Sequence, residues 1–289
     1  MPLIIGNLSL AAQQLNNALR AAREARGITS RTLSEQLGHS HAWLSHRETG
    51  RQVATVAEVV AVLDAMDVSG EERHVILAHA REANAPNPLA LLPGIPPAVV
   101  DAIAYERTVS SIQEWAPAIV PDLIQTPAYT AALATSQGCD PLDVDTRSLI
   151  QVGRQRILSR TIDQVEFTAV IGESALREPI ASARVMAEQL DFLLAQTACP
   201  NVTIRVMPAS AGWHLGLTGP FRLYRLPDGH EFARHDHVNS ACVVTDRIED
   251  YRAAVAEMID KSLSVGKSIR RLTDIAQEWR EDVRDSSSA

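Results

Sequence analysis

Long apolar runs are missing from this chain of 289 residues, and so is a basic leader: Met1 to Leu10 carries only a Leu-Ile-Ile triplet before Gly6, shorter than a signal-peptide core. The protein is therefore expected to remain cytoplasmic, with no membrane partner. Cysteine is scarce. Cys139, Cys199 and Cys242 lie far apart and are odd in number, which fits neither a paired disulfide framework nor a CxxC metal clip and leaves buried reduced thiols. Lysine is nearly absent, Lys261 and Lys267 standing beside 25 arginines; with abundant alanine this marks the base composition of the coding sequence rather than a site. What remains is enough chain for two domains, each with its own core.

The most informative stretch is Thr29 to Gly50, TSRTLSEQLGHSHAWLSHRETG. A Thr oxygen can satisfy an orphan amide of a first helical turn, so Thr29 caps a helix through Ser30, Leu33 and Leu37. Gly38 stops it, because glycine tolerates the left-handed conformation that ends a helix, and Ser40 caps a second helix almost at once. In that second helix Leu44 points to the core, whereas His41, Ala42, Ser45 and His46 fall on the opposite face with Trp43 at its edge. This is the pattern of a helix-turn-helix, whose second helix enters the major groove; His and Ser can bond base edges there, and Ala and Trp can touch thymine methyls. Charge agrees once it is divided. Residues 20–51 hold six Arg and three Glu, net +3, within a chain of net charge −8. Ser30, Arg31, Arg47 and Arg51 are the candidates for phosphate contact.

From about Leu15 to Glu72 the chain resembles the DNA-binding domain of the lambda repressor and Cro-like (xenobiotic-response-element) family, on the strength of RAAREARGIT, LSEQLG and SHAWLSHRETGR. The resemblance implies five helices, docking as a homodimer on double-stranded DNA, and a buried ion pair between Arg23 and Glu48.

Further along, Thr55-Val-Ala-Glu58 reads as a capping box and Ser69-Gly-Glu-Glu72 as the opening of another helix. Five prolines between Pro86 and Pro97 exclude helix and central strand and predict a semi-rigid linker. A helix is expected from Ala98 past Glu106, and Ser111 to Trp115 is a candidate short strand. Thr126-Pro127 and Asp140-Pro141 each pair a cap with a first-turn proline. VEFTAVI, VTIRVM, FRLYRL, HEFARHDH and ACVVT are five runs of β-formers, with a helix near Ala181 to Ala198 between the first two. Asp246 is expected to cap a helix to about Ser264, another follows to about Arg280, and the tail RDSSSA is expected to be disordered. The predicted architecture is an α N-terminal helix-turn-helix domain of five helices (10–84), a Pro-rich linker (85–97), an α/β domain with one mixed sheet of about five strands (98–282) and a tail (283–289). The second domain resembles the domain of unknown function that follows such a helix-turn-helix in many actinobacterial regulators and is often labelled antitoxin-like. VPDLIQTPAY, VGRQRIL, ESALREP and PNVTIRVMPASAGWHLGLTGPF carry that resemblance. Asp122 departs from it, standing where the family usually has Gly after Val-Pro, and HEFARHDH is richer in histidine than the usual strand.

Catalytic motifs fail their spacing tests. Gly266-Lys267-Ser268 lacks the glycine a phosphate loop needs, and Ser174 lacks the second glycine of a nucleophile elbow. His230, His235 and His237 match no known metal site, so no metal or cofactor is expected. The loop from Gly212 to Phe221 is different: its glycines permit close backbone approach, and Trp213, His214 and Phe221 are candidates to line a surface for a small molecule or a peptide. The expectation is a sequence-specific DNA-binding transcriptional regulator without catalytic activity, whose C-terminal domain binds an effector or partner. The alternative is an antitoxin-like protein that binds a small co-encoded protein and autoregulates its operon.

Overall fold

The computed structural model describes residues 10–48, 52–85, 95, 97–162, 164–237 and 241–286. Most of the proline-rich stretch at 85–97 lies outside them. The chain divides into two compact units. The first gathers helices α1 (Leu10–Ala25), α2 (Ser30–Gln36), α3 (His41–Glu48), α4 (Val56–Ala65) and α5 (Gly70–Ala83). It also takes in α6 (Pro97–Glu106) as far as Tyr105 and strand β6 (Ala241–Val244), two elements that the expected span 98–282 had assigned to the second domain.

In the first unit the caps determine where helices begin. Thr29 Oγ1 accepts the amide of Thr32 at 3.1 Å, and Gly38, at φ +74°, ends α2 while the amides of Gly38 and His39 return to Glu35 and Ser34 carbonyls at 3.0 and 2.8 Å. The capping box at Thr55 closes in both directions with Glu58. Ser69 differs from expectation: its hydroxyl makes no cap bond, since the chain enters α5 through Gly70 at φ +64°. One apolar cluster ties the helices together, with Leu33 of α2 and Leu44 of α3 meeting Leu15 and Leu19 of α1, Val59 and Leu63 of α4 and Ile76 of α5. Two short helices thereby gain the tertiary burial that helices of this length need to persist.

The sheet has six strands in the order β3-β2-β1-β4-β5-β6. Those of the second unit are β1 (Ser111–Ala116), β2 (Glu166–Gly172), β3 (Val202–Met207), β4 (Phe221–Arg225) and β5 (Glu231–Asp236). β1 runs parallel to β2 and antiparallel to β4, so the segment with the weakest strand signal lies at the centre of a mixed sheet. β2 and β3 are parallel, β4 and β5 antiparallel. Around them pack α7 (Pro127–Ser136), α8 (Pro141–Gln155), α9 (Glu173–Arg177), α10 (Ala183–Gln196), α11 (Ile248–Lys261) and α12 (Val265–Ser286). Helix α12 lies along α10 and against β3, and α11 against β3 and β5. Two expectations at the C-terminal end are corrected. Asp246 does not cap α11, because Arg247 precedes the helix in a left-handed conformation at φ +54° with no side-chain cap. Residues 283–286, expected in a disordered tail, extend α12. Among the described residues no helix is long and apolar enough to cross a membrane.

Candidate nucleic-acid interface

The turn at Gly38 sets α3 against α2 with Leu44 buried, which leaves Ala42 exposed and Ser45 and His46 half-buried on the outer side. His41 opens α3; its side chain lies outside the described residues, as does the whole of Arg51. Trp43, expected to read bases, is half-buried. Its ring packs against the core, stacks on His39 with centroids 4.0 Å apart, and is covered by the Arg47 guanidinium 4.1 Å from its centroid. Arg47, expected at a phosphate, is turned inward. It is buried, and it donates to the Trp43 carbonyl and to Gln52 Oε1, each at 3.2 Å, and to Glu58 of the capping box. Four residues after Trp43 it falls on the inner side of α3, so its charge is spent within the fold. Ser30 Oγ is likewise covered by protein rather than turned to solvent. Arg31 remains exposed, paired with Glu35 at 3.1 Å.

Below this face Arg23 and Glu48 are both buried and form a two-pronged pair, Nε to Oε1 at 2.6 Å and Nη2 to Oε2 at 2.9 Å. Arg23 also donates to the Ile28 carbonyl at 2.7 Å, and Arg20 to the Glu48 carbonyl at 2.8 Å. The hydrogen bonds to Glu48 raise the Arg23 pKa further, against the opposing effect of burial. These bonds fasten the end of α3 to α1 and to the start of α2. Arg26 pairs with Glu72 across the surface. Every described arginine from 20 to 47 therefore has a carboxylate or carbonyl partner, and over residues 10–84 eight arginines face nine carboxylates. The positive field inferred from residues 20–51 is largely compensated once Glu58 and Glu72 are counted.

In the second unit the loop before β4 presents Trp213, 62% exposed, with Leu215 and Leu217 also exposed. His214 and Phe221 are corrected as surface residues. His214 is buried edge-on against Trp115 at 5.2 Å, and Phe221 is buried on β4 against Tyr251. The loop is fixed from beneath. Trp115 Nε1 donates to the Gly216 carbonyl at 2.7 Å, and Lys261 Nζ to the Trp213 carbonyl.

A chain of buried and half-buried ions also crosses this unit. Arg154 of α8 pairs with Glu106 and, at 2.7 Å, with Asp122. Arg222 of β4 takes Glu114 at 3.0 Å, Asp122 at 2.9 Å and Asp236 at 3.2 Å, and Arg234, 1% exposed, takes Asp236 at 2.6 Å. Burial, reinforced by the carboxylates of Asp122 and Asp236 and opposed by Arg222, pushes Glu114 up to about 7. Burial pushes Asp122 the same way, yet the guanidiniums of Arg154 and Arg222 hold it well below the carboxylate range.

A family model described as a domain of unknown function (DUF5753) matches residues 99–274, well over half of the chain. The chain belongs to the DUF5753 family. A second model, a helix-turn-helix domain, matches residues 14–75 and so covers α1 to α5. No curated protein and no solved structure matches. Within the DUF5753 domain this ion network is the feature that sequence reading missed. The histidine-rich strand has a local explanation: His235 is held by Tyr251 Oη at 2.8 Å and the Pro220 carbonyl at 3.1 Å, and His230 pairs with Asp228. Among the described residues no group of three or more His, Cys, Asp or Glu is placed to hold a metal.

Proposed function

We propose that this DUF5753 protein is a cytoplasmic, sequence-specific transcriptional regulator of the lambda repressor and Cro-like kind, binding double-stranded DNA as a homodimer through α3. The supporting observation is the helix-turn-helix match over residues 14–75 on a unit whose second short helix turns Ala42, Ser45 and His46 outward. His41 and Arg51 complete the proposed contact set, for bases and phosphate respectively. Trp43 and Arg47 act from below, by stiffening α3. Since the arginines are so widely compensated, one copy neutralises few phosphates, and affinity comes from two copies on half-sites about 34 to 36 Å apart. Selection of binding sites followed by footprinting of the full chain tests this. A split, two-fold footprint is expected, with Ser45→Ala relaxing preference at one position and Arg31→Ala weakening all sequences alike. No enrichment of any sequence, or the same profile for both variants, refutes it.

The DUF5753 domain is proposed as the control element, without catalysis of its own. The exposed Trp213, Leu215 and Leu217 favour a second reading of it, in which an antitoxin-like surface captures a small co-encoded protein. Such a cluster offers an aromatic anchor with apolar neighbours, the composition of an interface centre. Pull-down of the neighbouring short gene product by the full chain, with and without Trp213→Ala, decides between a protein partner and a small effector.

A further inference from the structure

Helix α8 has an exposed apolar stripe. Leu142 is 72% exposed, Leu149 74% and Val152 41%. Single exposed apolar residues are ordinary on any surface, but these three share one stripe of one helix. With exposed Asp145 and Arg156 they fall at 142, 145, 149, 152 and 156, the alternating steps of three and four residues that form a helix–helix seam. Arg154 and Gln151, on the other side of the helix, are buried, so the stripe faces away from the domain's own interior.

We propose that α8 is the dimer seam of this protein, pairing antiparallel with α8 of a second copy. The inference gives the two-copy reading above a surface and rests on that reading only for its purpose. The occupant follows from the charges. Asp145 and Arg156 are exposed and enter no ion pair among the described residues. A two-fold axis midway between Leu149 and Val152 sets Leu149 of each copy against Val152 of the other, and Asp145 of each against Arg156 of the other. Both contacts occur twice, as an isologous interface requires. A parallel pairing would instead oppose Asp145 to Asp145. The acidic group near the N-terminal end of α8 and the basic one just past its C-terminal end also suit the helix dipole of the copy that carries them. A foreign partner would have no need of such self-complementarity.

Sedimentation of the full chain without DNA tests the seam. The wild type should be a dimer at micromolar concentration and Leu149→Glu a monomer. Asp145→Arg and Arg156→Asp should each weaken association roughly tenfold or more, since two pairs turn repulsive at once. An equimolar mixture of these two variants should dimerise, as should the double variant, because each restores opposite charges across the axis. All the altered positions are exposed, so circular dichroism spectra should show every variant folded. A monomeric wild type, a dimer indifferent to Leu149→Glu, or a mixture that stays monomeric overturns the proposal; in the second case the small partner protein or the first unit of the chain becomes the occupant of α8. A dimer that depends on α8 yet protects a single half-site would sink the two-copy operator reading and leave the seam standing.

Discussion

Glu48→Ala removes one carboxylate and leaves a buried guanidinium behind. Arg23 loses both charge-assisted bonds to Glu48, at 2.6 and 2.9 Å, and keeps the Ile28 carbonyl and a long contact to Glu24 at 3.4 Å. Neither side chain swings freely into water, since the Arg23 side chain is 11% exposed and that of Glu48 5%. Removing one partner of such a pair costs about 3 to 5 kcal/mol. A unit of this length has about 4 to 11 kcal/mol of stability in all, at about 0.05 to 0.15 kcal/mol per residue, so the variant should lose between about a quarter and all of it. The bond from Arg20 to the Glu48 backbone carbonyl survives and cannot compensate, because it does nothing for Arg23. Amide hydrogen exchange on the full chain is the suitable assay: α1 to α5 should lose protection by two to four orders of magnitude, about 1.4 kcal/mol for each, while β1 to β5 keep theirs. The paired replacement Arg23→Met with Glu48→Leu should recover most of the loss, since an apolar pair can fill a buried ionic site at little net cost. Unchanged protection in α1 and α3 of Glu48→Ala would refute the reasoning, and so would a double variant as unstable as the single one.

Glu114→Gln should flatten the pH dependence of the DUF5753 domain. The folded carboxyl keeps its proton up to about 7 and the unfolded one releases it near 4.5, so wild-type stability falls as pH rises through that window, by up to about 3 kcal/mol. Asp122 acts the other way and costs stability as pH drops below its ordinary range; urea melts from pH 2 to 8 should therefore show a maximum that the Gln variant lacks on its alkaline side. Arg47→Ala should destabilise the first unit by on the order of 2 kcal/mol, lowering its melting temperature, and leave the salt dependence of DNA binding unchanged; a shallower salt slope would return Arg47 to the phosphates. Phe221→Ala should destabilise its domain by about 3 to 5 kcal/mol, whereas Trp213→Ala should stay within about 0.5 kcal/mol of wild type and lose partner capture, as thermal melts and pull-downs would show.

The elements legible in the sequence are those specified by near neighbours. Thr29 with Gly38, Thr55 with Glu58, Thr126 with Pro127 and Asp140 with Pro141 each act within a turn or two, and each marks a helix end in the structure. Residues whose environment is set from afar misled. β1 reads weakly because Gln113 and Glu114 interrupt it, and only Arg222, more than a hundred positions on, explains how Glu114 can be buried in a central strand. Arg47 looked free because its partner Glu58 was already accounted for as a capping residue; the carboxylate serves both. His214 and Phe221 shared a promising loop with Trp213, but aromatic character does not say which rings turn inward. Asp246 had the composition of a cap and not the backbone, since Arg247 bends the chain the wrong way.

Gly216 leaves no room for change. A β-carbon there would lie 2.5 Å from Met258 Sδ and 2.7 Å from Trp115 Nε1, so the segment that carries Trp213, Leu215 and Leu217 is clamped between the central strand and α11. Loops that freeze on contact forfeit part of their binding energy to lost conformational freedom. This one has met that cost during folding. A molecule that landed on it would meet a backbone already fixed in place, so that even a small partner could be held there with few contacts.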